Sequence, residues 1–223
     1  MSAKHTAVAP QPPHPVAELE ATAPSALEHD ETHAEVSLTD VDLADQHAGG
    51  VTFESVELRR VDLSGSRLEQ LSLRDATLTG CNLANLNARG AGFTRVVVEA
   101  SRLTGTVLLE ATLSDVTFRG CRIDLASFAH SRLTRVTFED CILRQADFLG
   151  AFLDSVRLDG CELVEADLRD ARVRRCELRR CALEDLQGVE RLRGFAMPWA
   201  DIVEQAGLWA SALGITVLEE EHP

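Results

Sequence analysis

The chain has 223 residues, 45% apolar and 4% aromatic with no tyrosine, so it has room for one domain whose core must be aliphatic. Its formal net charge of -14 excludes a general affinity for nucleic acid or for an anionic membrane surface. Nowhere do eighteen apolar residues follow one another, which excludes a conventional membrane-spanning helix.

Residues 1–35 hold five of the seven prolines, six acidic groups and a single lysine. This composition predicts a flexible, extended tail. After Lys4 the run AVAPQPPHPVAELE lacks the apolar centre of a secretory signal, so a cytoplasmic protein is expected. Ser25 to Glu28 matches a capping box and predicts at most one helical turn. HDETH sets His29 and His33 four apart but places Asp30 where a zinc-protease motif needs glutamate. Disordered tail, with weak adventitious metal binding as the alternative, is the expectation there.

From residue 36 to 185 a period of five runs without a slip. The third residue of each of its thirty units, Leu38 to Leu183, is Leu, Phe, Val, Ile or Ala. Five residues rotate a helix by about 140°, and an odd step along a strand reverses the face, so neither element can gather these side chains. A chain that turns a corner every five residues can. Four sides close a square coil of about twenty residues, and about seven and a half such coils stacked at about 4.8 Å make a rod of roughly 36 Å. The first residue of each five also points inward, and it is small or aliphatic at every site except Gln46. Eight glycines stand at the fifth place, where a corner calls for positive φ. No proline falls between Ser25 and Met197, as a stacked backbone ladder requires.

ADLRD at 166, ADFLG at 146, CNLAN at 81, VDLSG at 61 and VDLAD at 41 come close to A(D/N)LXX, and with them the chain resembles the pentapeptide-repeat proteins over residues 36–185. The resemblance implies an all-β solenoid, a right-handed quadrilateral β-helix, here placed at residues 36–190. Its handedness is implied by the family and not by the spacing.

All six cysteines occupy the first place of a unit, and Cys81, Cys121, Cys141, Cys161 and Cys181 differ by multiples of twenty. They form a line along one side, with Ser101 in the vacant rung and Cys176 one side earlier. A metal needs thiolates that converge on a point. Buried filler is the reading, with a disulfide between adjacent rungs as the alternative. His47 and His130 face outward about four rungs, some 20 Å, apart. Carboxylate pairs such as Glu162 with Glu165, or Asp167 with Asp170, recur because outward places are solvated. No catalytic residue, cofactor or metal is expected, and the protein is expected not to be an enzyme.

Residues 191–223 leave the rhythm and form the expected cap. A helix is predicted over about 198–213, with Pro198 in its first turn, Asp201 and Glu204 near its positive end and Gly214 as C-cap. Trp199, Ile202, Val203, Ala206, Trp209 or Ala210, and Leu213 follow helical spacing. That face is expected to seal the last coil and, with the following ITVL strand, to serve as a homodimer contact, as the ending of the mycobacterial fluoroquinolone-resistance member implies.

The same relative implies a function, imitation of duplex DNA in the binding saddle of DNA gyrase. The charge distribution argues against it here. The side with Asp42, Asp45, Asp62, Asp124, Glu162 and Glu165 sums to -5, and the opposite side, with Arg132, Arg135, Arg172, Arg174 and Arg175, to +3. The acidic side is interrupted by near-neutral rungs from Cys81 to Gln145, whereas a phosphate mimic should be continuous. RDARVRRCELRR adds six arginines between 169 and 180, expected to pair with Asp167, Asp170 and Glu177 or else to bind an acidic partner. Loops that break the repeat, which plasmid-encoded relatives use to protect gyrase, have no room in an unbroken phase. A non-catalytic interaction scaffold with an unknown protein partner is therefore the leading reading, and a gyrase-directed DNA mimic the alternative.

Overall fold

The computed structural model describes residues 6–16 and 18–216. Every fifth residue from Asp30 to Asp185 has positive φ, and these are the corners of a square coil. Eight are glycine and 24 carry side chains. Each side pairs in parallel with the residue twenty positions on, as in the row Thr52, Ser72, Gly92, Thr112, Arg132 and Phe152. Two adjacent sides run together as eight-residue strands from Thr52–Arg59 to Phe152–Asp159. The other two sides join by single parallel bridges such as Asp42 to Asp62 and His47 to Arg67. The result is a parallel β-solenoid of about nine turns.

Side chains at left-handed corners carry a steric cost that glycine avoids. Leu125, with φ 58° and 57% exposed, occupies such a corner without packing to justify it. Leu125→Gly is expected to raise stability by about 0.5 to 1 kcal/mol. Denaturant unfolding that shows a loss instead would refute the corner geometry.

The inward row is as the period requires. All thirty central residues from Leu38 to Leu183 are buried except Val173, which is half-buried. Phe118 stacks on Phe138 at 4.9 Å and Phe128 on Phe148 at 5.0 Å, adding ring contacts to an otherwise aliphatic core. An interior void lined by Phe148, Leu163 and Leu183 measures about 10 Å³, no more than a water.

First-place residues are small for a further reason. Ser101 donates to Glu99 on its own coil and Gln46 to Ala44. The other polar ones donate back to the main chain of the preceding coil: Ser66 Oγ to Leu43, Thr106 Oγ1 to Leu83, Ser131 Oγ to Leu108, and the thiols of Cys81, Cys121, Cys141, Cys161, Cys176 and Cys181 to Leu58, Val98, Phe118, Phe138, Leu153 and Leu158. The carbonyl is always 23 residues earlier, which makes a hydroxyl or thiol interchangeable at this place. The six cysteines are free and buried.

Two boundaries differ from expectation. The coil begins before residue 36: Glu20–Ala21 pairs with Val36–Ser37, and Thr32–Ala34 pairs with Thr52–Glu54. His33 stacks on the inward Phe53 at 5.0 Å, and His29 Nδ1 accepts the Gly49 N–H, so HDETH belongs to the first turns and not to a free tail. Gln46, the exception to the inward pattern, is explained by this early start. Its side chain accepts the Leu27 N–H and donates to Ala44, closing the polar groups where residues 25–28 cross the end.

At the other end Trp209, from the predicted face, shares the sealing with residues the helical spacing did not single out. A 3-10 helix, Val189–Gly194, buries Leu192, and Phe195–Ala196 adds one more strand, on Cys176–Glu177. The predicted single helix is two, α1 (Trp199–Glu204) and α2 (Ala206–Ala212), broken at Gln205, with Pro198 as N-cap and Gly214 at φ 71° just after the end. The break changes which side chains face the rod. Leu208 and Trp209 pack against the core, while Trp199, Val203 and Leu213 point into solvent at 78%, 55% and 75% exposure. Of the expected ITVL strand, Ile215 and Thr216 are not in a strand, and Val217 and Leu218 lie outside the described residues.

Candidate functional site

The expected acidic surface is divided. Asp42 and Asp62 are neighbours in one vertical row that continues through Asn82, Arg102, Arg122 and Ile142 to Glu162. Five rungs, about 24 Å, separate Asp62 from Glu162, and two arginines stand between them. Asp42 and Asp62 each accept the N–H two residues on, and Asp62 also accepts from Asn82. Asp45 is a corner residue on the turn beside Asp42. Glu162 accepts from Arg144 at 2.7 Å and Glu165 from Gln145 at 2.6 Å. Five of the six arginines in the arginine-rich stretch are likewise paired: Arg169 with Asp167, Arg174 and Arg175 with Asp154, Arg179 with Glu177 and Arg180 with Asp159. Asp170 pairs with Arg191.

Chemistry-bearing clusters fare no better than the acidic row. Among the described residues no group of three or more His, Cys, Asp or Glu is placed to hold a metal ion. Burial pushes the Cys176 thiol up to about 11 and raises that of Cys81, so these sulfurs are poor nucleophiles near neutrality. No described helix is long and apolar enough to cross a membrane.

One edge is built differently. The corner that joins the two halves of the long strands carries Asp75, Arg95, Asp115 and Arg135 on successive rungs, all at the fifth place. Arg95 forks onto Asp75 with both contacts at 2.6 Å, and Arg135 onto Asp115 at 2.7 and 2.6 Å. The Arg95 hydrogen bonds hold the Asp75 carboxyl down to about 2 against the opposing pull of burial, helped by a main-chain N–H. Asp115 is lowered in the same way by Arg135. Asp75, Asp115, Asp154 and Glu177 are the buried carboxylates among the described residues, and all stand at or beside this corner.

Three of them, Asp75, Asp115 and Glu177, lie under the N-terminal segment. It is extended, as its prolines imply, but it lies against the rod. The Ala7 N–H donates to Glu177 at 2.9 Å, the Gln11 N–H to Asp115 at 3.0 Å and the His14 N–H to Asp75 at 2.9 Å. The segment thus runs antiparallel to the direction in which the coil grows. This contact escaped the sequence reading, although two signals were present: a fifth-place row alternating Asp and Arg every twenty residues, and prolines spaced to leave those three N–H groups free.

Family models for a pentapeptide repeat region and for pentapeptide repeats in eight copies match residues 71–148 and 37–70. No curated protein matches the chain. Among solved structures, trypsin-treated QnrB1 carrying M102R, a plasmid-mediated fluoroquinolone resistance protein, superposes with TM-score 0.56 at 20% identity, over 96% of this chain and 99% of that one. HetL, a pentapeptide repeat protein involved in heterocyst differentiation regulation in the cyanobacterium Nostoc, is 21% identical over 78% of this chain and 92% of its own, with TM-score 0.44.

Proposed function

The chain belongs to the pentapeptide-repeat family, and from that premise we propose that it is a non-catalytic scaffold whose flat-sided rod docks a protein partner in the cytoplasm. One observation carries this reading: among the described residues the solenoid core is filled by its own side chains inside walls whose charges are mostly paired, and the large cleft, about 1290 Å³, lies outside that core, between the end of the rod and α1–α2. Salt-bridged, flat faces contribute selectivity more than affinity.

The scaffold is a homodimer through the solvent-facing side of α1 and α2 in this proposal. Trp199, Val203 and Leu213, with Ile215, form an apolar patch that a monomer would leave wet. Light scattering is expected to give a dimer mass that Trp199→Glu combined with Leu213→Asp halves. A wild-type monomer at high concentration would remove this part of the proposal.

Imitation of DNA for gyrase is the weaker alternative, supported by the net charge of -14 and opposed by Arg102 and Arg122 in the middle of the acidic row. Gyrase supercoiling is expected to continue in the presence of low micromolar protein. Strong inhibition there would reverse the order of the two readings.

A further inference from the structure

We propose that the Asp75–Arg95–Asp115–Arg135 corner is a binding track for an extended proline-rich peptide, and that residues 7–14 of the chain fill it as a ligand in cis.

The occupant has the periodicity of a polyproline II helix. Ala7, Pro10, Pro13 and Val16, every third residue, are turned toward the rod, while the residues between them are exposed. Three residues per turn and about 3.1 Å per residue define that helix. It has no internal hydrogen bonds, so its N–H groups are free to be read.

The rod is commensurate with it. One polyproline turn rises about 9.3 Å, and two rungs of the solenoid rise about 9.6 Å. A peptide lying along the rod therefore presents the same side to every second rung. Carboxylates stand on alternate rungs, Asp75 and then Asp115, and they take the N–H groups of His14 and Gln11, three residues apart. The intervening rungs carry Arg95 and Arg135, each of which forks onto the aspartate below and orients it. Both forks engage Oδ1 and Oδ2 and leave Oδ1 a second lone pair, which the peptide fills. Gln11 to Ala7 spans the remaining three rungs to Glu177, whose longer side chain covers the mismatch.

Flanking the corner, the rows Thr77, Val97, Thr117, Thr137 and Thr94, Ser114, Thr134 are small or β-branched, which keeps the track shallow enough for proline rings; on the Asp75 rung the second row begins with Arg74, which pairs with Glu54. Recognition of this kind reads main-chain N–H groups at fixed phase and tolerates any side chain that points away. The ligand class is accordingly an extended, proline-rich segment with a non-proline residue wherever a carboxylate waits. An outside peptide of that class must displace the chain's own, which holds its place through its high effective concentration.

Proline at the reading positions provides the test, because it favours the polyproline conformation while deleting the donor. Amide exchange on the full chain is expected to show Gln11 and His14 protected at least tenfold over Val8 and Ala9. In Gln11→Pro/His14→Pro the Ala7 amide should lose its protection, whereas a segment held only by packing would stay docked. For the outside ligand, a labelled peptide TAVAPQPPHPV is titrated by fluorescence anisotropy, up to 1 mM, against the full chain and against a chain lacking residues 2–16 whose β-sheet circular dichroism is retained. Binding to the shortened chain, at least tenfold weaker to the full chain and lost when the peptide carries both prolines, is the expected result. Unprotected Gln11 and His14 amides would overturn the cis contact, and absence of binding to the shortened chain would overturn the track. A concentration-dependent dimer that exchanges arms between copies would overturn the assignment in cis.

Discussion

Leu143→Arg is expected to cost at least about 4 kcal/mol, while Arg144→Glu, one residue on, changes stability by no more than about 1 kcal/mol. Leu143 is fully buried, and Ile123 and Leu163 are the central residues of the rungs before and after it. Replacing it removes about 1.5 to 3 kcal/mol of apolar burial and forces inward a guanidinium that cannot shed its proton. No partner awaits that charge, and a buried unpaired ion costs several kcal/mol more. Arg144 instead lies outside, 2.7 Å from Glu162, with its side chain 59% exposed. Because each coil touches only its neighbours, the damage should remain local and split thermal unfolding into two steps. Equal melting temperatures for the two variants would contradict the inward and outward assignment.

Gly188→Val is expected to cost about 2 to 4 kcal/mol by undocking the C-terminal seal. Gly188 has φ 75° at the entry to the 3-10 helix, and a Cβ there would sit 2.6 Å from the Arg169 nitrogen and 2.7 Å from the Leu168 carbonyl carbon. Main chain on the previous coil cannot step aside as a flexible side chain would, and valine is a poor left-handed residue besides. Leu192 and Phe195 would then leave the end of the core, and the last coil would offer an unpaired edge to other molecules. Differential scanning calorimetry with light scattering should register an earlier, aggregating transition. An unchanged transition would mean that the seal does not depend on the close approach at 188.

The repeat was legible because its cause is local and redundant. Leu38 to Leu183 repeat one decision thirty times, and the cysteine column follows from the same register. The cap was legible as a place but not as a surface. Projecting Trp199 to Leu213 onto one continuous helix put Trp199 on the sealing face, and the break at Gln205 turned it outward and brought in Leu208. The N-terminal segment was the least legible. Its apolar residues Ala7, Pro10, Pro13 and Val16 recur every third place, a period of neither helix nor strand, so it reads as a free tail, and its partners lie 61, 104 and 170 residues away. What anchors it is main-chain donors against side-chain acceptors, and hydrophobic patterning carries no record of that.

The matched rise of peptide and rod gives coil number a parity. Excising one full coil between Asp75 and Asp115, twenty residues in register, would leave the walls continuous and the core filled. The two aspartates would then fall on adjacent rungs, half a peptide turn out of step, and the arm could satisfy one but not both. Inserting two coils would restore the phase and ask only for three more residues of arm. Between Asp75 and Asp115, length is thus constrained in pairs of turns along this one edge.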